Sequence, residues 1–261
     1  MKPDITIITV VKNDKDNIIK TLDSIRSQSF KNYEHIIIDS NSTDGTSEII
    51  KKKINPQTLH IRESDNGIYQ GINKGIKKAN GNLVGLLHSG DIFYSSDTLK
   101  YIDNKSNNLD FLFGNIAYFK NKKINRFWEF KSDKTNRLNP FKIPHTSLFI
   151  KKSVLEYLEL YDENFIISSD TDFLIRLCKQ NFKYKKLDAY IVFMKSGGVS
   201  FSLSNFFNKT LEDLTILFKH YNFIFLFFYL YKTVIKLSGF LLFINKKKIN
   251  IILRQYLLNI S

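Results

Sequence analysis

One cysteine, four prolines, one tryptophan and eleven glycines are all that 261 residues hold of the types that cross-link or punctuate a chain. Cys178 alone makes neither an intramolecular disulfide nor a multi-cysteine zinc site, which fits a reducing compartment. So little proline and glycine excludes collagen-like and low-complexity character, and no Pro- or Gly-rich stretch marks a linker. The opening Met1-Lys2-Pro3-Asp4-Ile5 lacks the apolar stretch of a secretory leader and leads into an apolar strand pattern, so the expected location is cytoplasmic. Acidic residues are also scarce, 25 against 39 basic, which leaves a formal charge of +14. The excess is mostly lysine, suited to polyanions such as phosphorylated small molecules or acidic lipid, without the bidentate forks by which arginine reads bases. No RNP, zinc or other nucleic-acid motif accompanies it, and no specific nucleic-acid partner is expected. What the chain does have is 43% hydrophobic and 14% aromatic residues, which excludes disorder and suffices for a buried core.

The first hundred residues alternate between two hydrophobic periods. Ile5 to Val11 is a continuous β-branched run, the mark of a strand buried on both faces of a parallel sheet. Caps at Asn13, Asp14 and Asp16 precede Ile18, Ile19, Leu22 and Ile25 at helical spacing. His35 to Asp39 reads as a second strand, Leu59 to Ile61 as a third and Leu83 to His88 as a fourth. Between them, short helices run over Glu48 to Ile50 and along Ile68, Ile72 and Ile76. This alternation predicts right-handed crossovers and a doubly wound α/β sheet, with ligands beyond the carboxyl ends of the strands. In the second half, Phe111 to Phe119, Asn125 to Phe130 and Ser147 to Ile150 read as strands, the first two as a hairpin, and a helix begins near Asp170. The expected organisation is one mixed domain over 1–204, with a nucleotide-sugar half at 1–100 and an acceptor half at 101–204, followed by a helical tail over 205–261. From Phe223 to Ile244 that tail is rich in Phe, Leu, Ile and Tyr, interrupted by Lys232 and Lys236 and followed by Lys246-Lys247-Lys248. Two central lysines argue against a spanning helix. A helix lying in the headgroup plane of an anionic membrane fits, as does one that covers the core or pairs two copies into a homodimer.

Polar clusters fall at the predicted strand ends. Asp39 either hydrogen-bonds the imide nitrogen of a base or caps the next turn. Asp91, in Ser89-Gly90-Asp91, is placed either to hold a hard divalent cation on phosphate oxygens or simply to close a turn. Asp65-Asn66-Gly67 precedes a helix whose N-terminal amides suit an anion. Asp170 and Asp172 open another helix, where one carboxylate serves as a cap and one that faces the cleft takes the proton of an attacking hydroxyl. His145, after Pro144, and Gly197-Gly198-Val199-Ser200 are further features that can close over phosphate, although a lone histidine more often has a structural role.

In order along the chain, the Thr6 to Asn13 strand and turn, Asp39 to Thr46, Asp65-Asn66-Gly67-Ile68-Tyr69 with Asn73-Lys74-Gly75, Ser89-Gly90-Asp91, and Ser169-Asp170-Thr171-Asp172-Phe173 with Arg176 resemble the family 2 glycosyltransferases of GT-A fold, especially those of bacterial surface-polysaccharide biosynthesis. The resemblance covers roughly residues 4–200. It implies an inverting transfer from a UDP- or GDP-sugar to a glycan or lipid-linked glycan, aided by Mn2+ or Mg2+, at the inner face of the plasma membrane. By position it sets Thr9, Val11 and Asn13, then Asp39, then Asp65, Asn66, Gly67 and Asn73, then Ser89 and Gly90, and finally His145 around the donor. It likewise makes Asp91 the metal ligand and Asp170 the general base, with Asp172 as the alternative. Ser89 stands where many members carry an acidic residue, which leaves Asp91 as the motif's one carboxylate. The rival expectations are a nucleotidyltransferase acting on sugar phosphates, whose Gly-rich loop Val11-Lys12-Asn13-Asp14 does not supply, and a transferase to polyprenyl phosphate.

Overall fold

The computed structural model describes residues 2–120, 123–130, 138–197, 203–222 and Leu230; the Gly198 to Ser200 segment and the aromatic stretch from Phe223 onward lie outside the described residues. Strand β1 (Ile5–Val11) is buried at every position. It lies between β2 (Tyr33–Asp39) and β4 (Leu83–Leu86), parallel to both, with β3 (Thr58–Arg62) parallel beyond β2. Two-sided burial is why these strands read as unbroken apolar runs rather than alternating ones. The crossovers are helices α1 (Lys15–Arg26), α2 (Thr46–Lys53) and α3 (Ile68–Lys78). The fourth strand stops at Leu86, two residues short of the sequence expectation, and Leu87 and His88 begin the loop toward the site.

Helix α3 lies directly on the sheet. Ile72 and Ile76 are buried as expected, but Ile68 is exposed and Tyr69 takes the inward place. Close approach requires Gly75, where an added Cβ would stand 2.6 Å from Ile8 Cγ2.

The second half adds β5 (Ile92–Phe93), α4 (Thr98–Lys105), β6 (Phe111–Lys120), β7 (Lys123–Trp128), β8 (Phe149–Lys151), α5 (Lys152–Tyr157), α6 (Ser169–Cys178), β9 (Tyr184–Lys195) and α7 (Leu203–Tyr221). The strand order is β3-β2-β1-β4-β8-β6-β9-β5, with β7 paired to β6. The sheet is mixed because β8 runs antiparallel to both its neighbours, whereas β9 is parallel to β6. β9 went unread in the sequence, although it joins β6 to β5. Helix α7 packs on the core through Ile216 and Leu217, both fully buried beside Phe141 and Ile175. No helix among the described residues is long and apolar enough to cross a membrane.

The chain reverses direction around the sheet between β1 and β4, and a crevice at their carboxyl ends is the place such a topology leaves for a ligand. Two histidines near it make stability depend on pH. His35 on β2 sets Nε2 2.9 Å from the Thr9 hydroxyl, and burial lowers its pKa to about 3. His88 is lowered to about 4, chiefly by burial and then by the neighbouring His145 charge. Both stay neutral in the folded state where the unfolded chain takes up protons. The stability these two histidines contribute is therefore full above pH 6.5 and falls as pH drops through it, by about 1.4 kcal/mol per pH unit for each. In urea unfolding between pH 6.5 and pH 5, His35→Gln should change the slope of stability against pH by about 1.4 kcal/mol per unit relative to wild type. Equal slopes in the two proteins would contradict the burial argument.

Candidate active site

Three loops at the carboxyl edge of the sheet are laced together by short polar side chains. Asn13, held at a φ of 50°, donates its backbone N–H to Ser42 Oγ at 2.9 Å and accepts the Thr43 N–H on its side chain at 2.8 Å. Asp14 donates its N–H to Thr46 Oγ1, and the hydroxyl of Ser89 donates to Asp14 Oδ2 at 2.8 Å. Asp14 thus makes no side-chain cap on α1 and instead ties the loop after β1 to the loop after β4.

Several residues expected on the donor also make contacts within this floor. The Thr9 hydroxyl is fully buried and bonds the Leu87 carbonyl at 2.7 Å, joining β1 to β4. Val11 is buried in the core beside Ile18 and Ile37. Asn73 spends its amide on Tyr161 O and Glu163 at 2.8 Å each and its carbonyl on Tyr161 N–H, fixing α3 to the loop before α6. Asp39 is fully buried: Oδ1 accepts the Ser42 N–H at 2.9 Å, Oδ2 accepts the Ser47 hydroxyl at 2.5 Å, and His60 lies 3.6 Å away. Burial opposes its charge, yet these bonds hold its pKa below the usual carboxylate range.

Other groups at the same edge are buried with polar atoms unmatched. Asp65 Oδ2, His88 Nδ1 and Asp91 Oδ2 have no hydrogen-bond partner among the described residues. Such orphans cost about 1–3 kcal/mol each, a cost that a bound ligand or ion removes. Asp65 Oδ1 meanwhile accepts from Ser40 Oγ at 2.8 Å, which aims the carboxyl across the end of β2. Asn66 is exposed and, with Gly67 at φ 150°, opens α3 without a side-chain cap.

Asp91 is 3% exposed, and Oδ1 accepts the Lys195 backbone N–H at 2.8 Å. Burial pushes its pKa up to about 8, against the Lys195 N–H and ammonium, and the Asp14 charge adds to the rise. Gly90, at a φ of 91°, makes the turn that points Asp91 inward. An oxygen-rich corner with a buried, unmatched carboxylate fits a hard cation such as Mn2+ or Mg2+. Among the described residues no group of three His, Cys, Asp or Glu is gathered to hold an ion, so a cation here would depend on oxygens supplied by a ligand.

Asp170 lies in the first turn of α6. Oδ2 lies 3.2 Å from His145 Nδ1, while Oδ1 accepts the Thr171 N–H at 2.8 Å and faces the Tyr69 hydroxyl at 3.3 Å. His145 thus orients the Asp170 carboxylate. The buried Tyr118 phenol is raised to about 12, mainly by burial, against the charge of Arg126, which lies 5.1 Å over its ring, and with smaller additions from the charges of Asp91 and Asp170.

Asp172, the alternative base, is excluded by its surroundings. It is fully buried and bound by Arg176 Nε at 2.7 Å and His220 Nε2 at 2.8 Å, with Lys219 at 3.4 Å. Burial raises its pKa, but those bonds and charges outweigh it and bring the value to about 2. A carboxylate so stabilised in its ionised form does not take a proton near neutrality.

Comparisons with known proteins bear on the family and the fold. The profile described as "Glycosyl transferase family 2" matches residues 6–158. An uncharacterized glycosyltransferase of Mycobacterium tuberculosis is 27% identical over 191 residues, 67% of this chain and 68% of its own. A PGL/p-HBAD biosynthesis glycosyltransferase of Mycobacterium bovis is 26% identical over 59% of this chain and 62% of its own. Among solved structures, S. aureus TarS 1-349 in complex with UDP-GlcNAc superposes with a TM-score of 0.64 at 18% identity, covering 83% of this chain and 67% of that one. The mannosyltransferase PcManGT from Pyrobaculum calidifontis, in complex with GDP-Man and Mn2+, gives 0.61 at 18% identity, covering 84% and 64%. The chain thus spans about two thirds of the length of the proteins it resembles, and the structural likenesses establish the GT-A fold.

Proposed function

Since the chain belongs to glycosyl transferase family 2 and is a glycosyltransferase, we propose that it moves a sugar from a UDP- or GDP-sugar to a hydroxyl of a lipid-linked glycan, inverting the anomeric carbon. The observation that carries this reading is the short path from Asp91 to Asp170, far apart in sequence: the Asp91 N–H donates to the His88 carbonyl at 3.0 Å, the His88 and His145 rings lie 6.5 Å apart, and His145 Nδ1 is 3.2 Å from Asp170 Oδ2. Donors of that kind are bound by TarS and by the archaeal mannosyltransferase.

The nucleotide lies over the laced loops after β1 and β2, where Asp65 offers its unmatched oxygen. The diphosphate turns toward Asp91, and the sugar carbon toward Asp170. Asp170, oriented by His145 and Thr171, takes the acceptor proton while the acceptor oxygen forms its bond to the anomeric carbon from the open face. The bond from that carbon to the diphosphate oxygen breaks on the other side, and the electron pair leaves with the nucleotide. Asp91 is the residue that would hold a divalent cation, and such a cation would supply charge neutralisation at the leaving group. Lysine excess and the aromatic stretch beyond Asn222 support a working position on the anionic, cytoplasmic surface of a membrane.

Thermal unfolding with UDP-GlcNAc, GDP-mannose, UDP and GDP, with and without Mn2+, tests the donor and the cation together. At about 100-fold over the dissociation constant a matching nucleotide adds about 2.7 kcal/mol, which is about 5–10 °C for a chain this size. The shift should need Mn2+ in the native chain and vanish in Asp91→Ala. A shift that is identical with and without Mn2+ would remove Asp91 and the cation from the reading. The absence of any shift across a full panel of nucleotide sugars would remove the donor class.

A further inference from the structure

The turn that delivers Asp170 is held from outside the catalytic half. Ile166, Ile167 and Ser168 present three consecutive backbone N–H groups, and all three donate to the Glu212 carboxylate of α7: Ile166 to Oε1 at 2.9 Å, Ile167 and Ser168 to Oε2 at 2.9 and 2.8 Å. One turn earlier on the same helix, Lys209 Nζ donates to Ser168 Oγ at 3.0 Å. Ser168 is the N-cap of α6 and makes no side-chain cap of its own, so these donors at the helix entry are satisfied by α7. The Ile167 carbonyl accepts the Tyr69 hydroxyl at 2.9 Å, which fixes the other side of the same turn. Downstream of Asp170, His220 of α7 grips Asp172 at 2.8 Å. Asp170 is therefore bracketed, two residues after one α7 contact and two before another.

We propose that Glu212 is a positioning residue for the reaction: by gathering the three N–H groups before α6 it sets the direction of Asp170 toward His145 and the cleft. This rests on the reading of Asp170 as the base. A carboxylate accepting several N–H groups is a strong, directional clamp, and a 1 Å misplacement of a reacting group costs up to about 100-fold in rate. Glu212 lies beyond residues 6–158, which the family profile matches, and its contacts span 44 to 46 residues of sequence.

The test uses the full chain in two arms. In hydrogen exchange followed by mass spectrometry, without ligand, peptides over residues 164–172 in Glu212→Ala should exchange at least about tenfold faster than in wild type, with β1 and β4 unchanged. In nucleotide release from UDP-GlcNAc and GDP-mannose, Glu212→Ala should lower kcat about 10- to 100-fold while the donor KM stays within about twofold. Glu212→Gln, which keeps one acceptor oxygen but sets an NH2 against the remaining N–H, should recover only part of the loss. In an Asp170→Asn background, Glu212→Ala should change the residual rate by less than about twofold, because the clamp acts through Asp170; a general folding defect would multiply instead. Unchanged exchange over 164–172, or full kcat in Glu212→Ala, overturns the inference. Full activity in Asp170→Asn overturns the assignment of the base instead, and the exchange arm still reports whether Glu212 holds the turn.

Discussion

Asp170→Asn is expected to lower sugar transfer by about 10²–10⁴-fold, the usual contribution of a positioned general base, and to leave donor binding intact. Asparagine keeps the shape and accepts the Thr171 N–H that Asp170 accepts at 2.8 Å, so the first turn of α6 stays in place. What it loses is the capacity to take up a proton. The His145 ring at 3.2 Å then faces a neutral amide. Steady-state kinetics and nucleotide-induced thermal shifts on the same variant separate the two quantities. A variant with full turnover, or one that loses nucleotide protection along with turnover, would contradict the assignment.

Asp172→Ala is expected to do the opposite: a large loss of stability, about 3–5 kcal/mol, with chemistry retained in the molecules that remain folded. Removing one partner of a buried ion pair strands the others, and here Arg176, His220 and Lys219 all converge on Asp172. Its folded pKa of about 2 lies below its unfolded value. The stability it contributes is therefore present above about pH 4 and is lost as pH falls from there toward 2. This loss begins where the histidine loss, which starts at pH 6.5, is already well advanced. Chemical denaturation at pH 7 measures the effect; a change below about 1 kcal/mol would show that the α6–α7 network is not holding the two helices.

Much of the sheet was legible because β1, β2 and β4 are buried on both faces and so carry unbroken β-branched runs. β9 was missed for the converse reason. It opens with Tyr184-Lys185-Lys186, exposed or half-buried, and only Ile191, Val192 and Phe193 are continuously buried, too short a run to stand out. In the site, Asp170 and Asp91 stand out in the sequence by their places at the head of a helix and the end of a strand. A polar residue near a strand end signals a ligand and a fold tie equally well, and the bonds of Thr9 to Leu87 and of Asn73 to Tyr161 are fold ties that no local pattern announces. Asp170 and Asp172 are adjacent on the helix in every sequence sense. His220 and Arg176 separate them, and His220 is 48 residues away. Glu212 left no local trace at all, since nothing in a helix marks which of its carboxylates reaches a distant turn.

The most direct measurement of the account is a crystal structure with UDP-GlcNAc or GDP-mannose and Mn2+. The account predicts the diphosphate beside Asp91 and the anomeric carbon within reach of Asp170, one nucleotide sugar spanning both. A nucleotide bound away from the β1 and β4 ends, or the two carboxylates on separate surfaces, would contradict it.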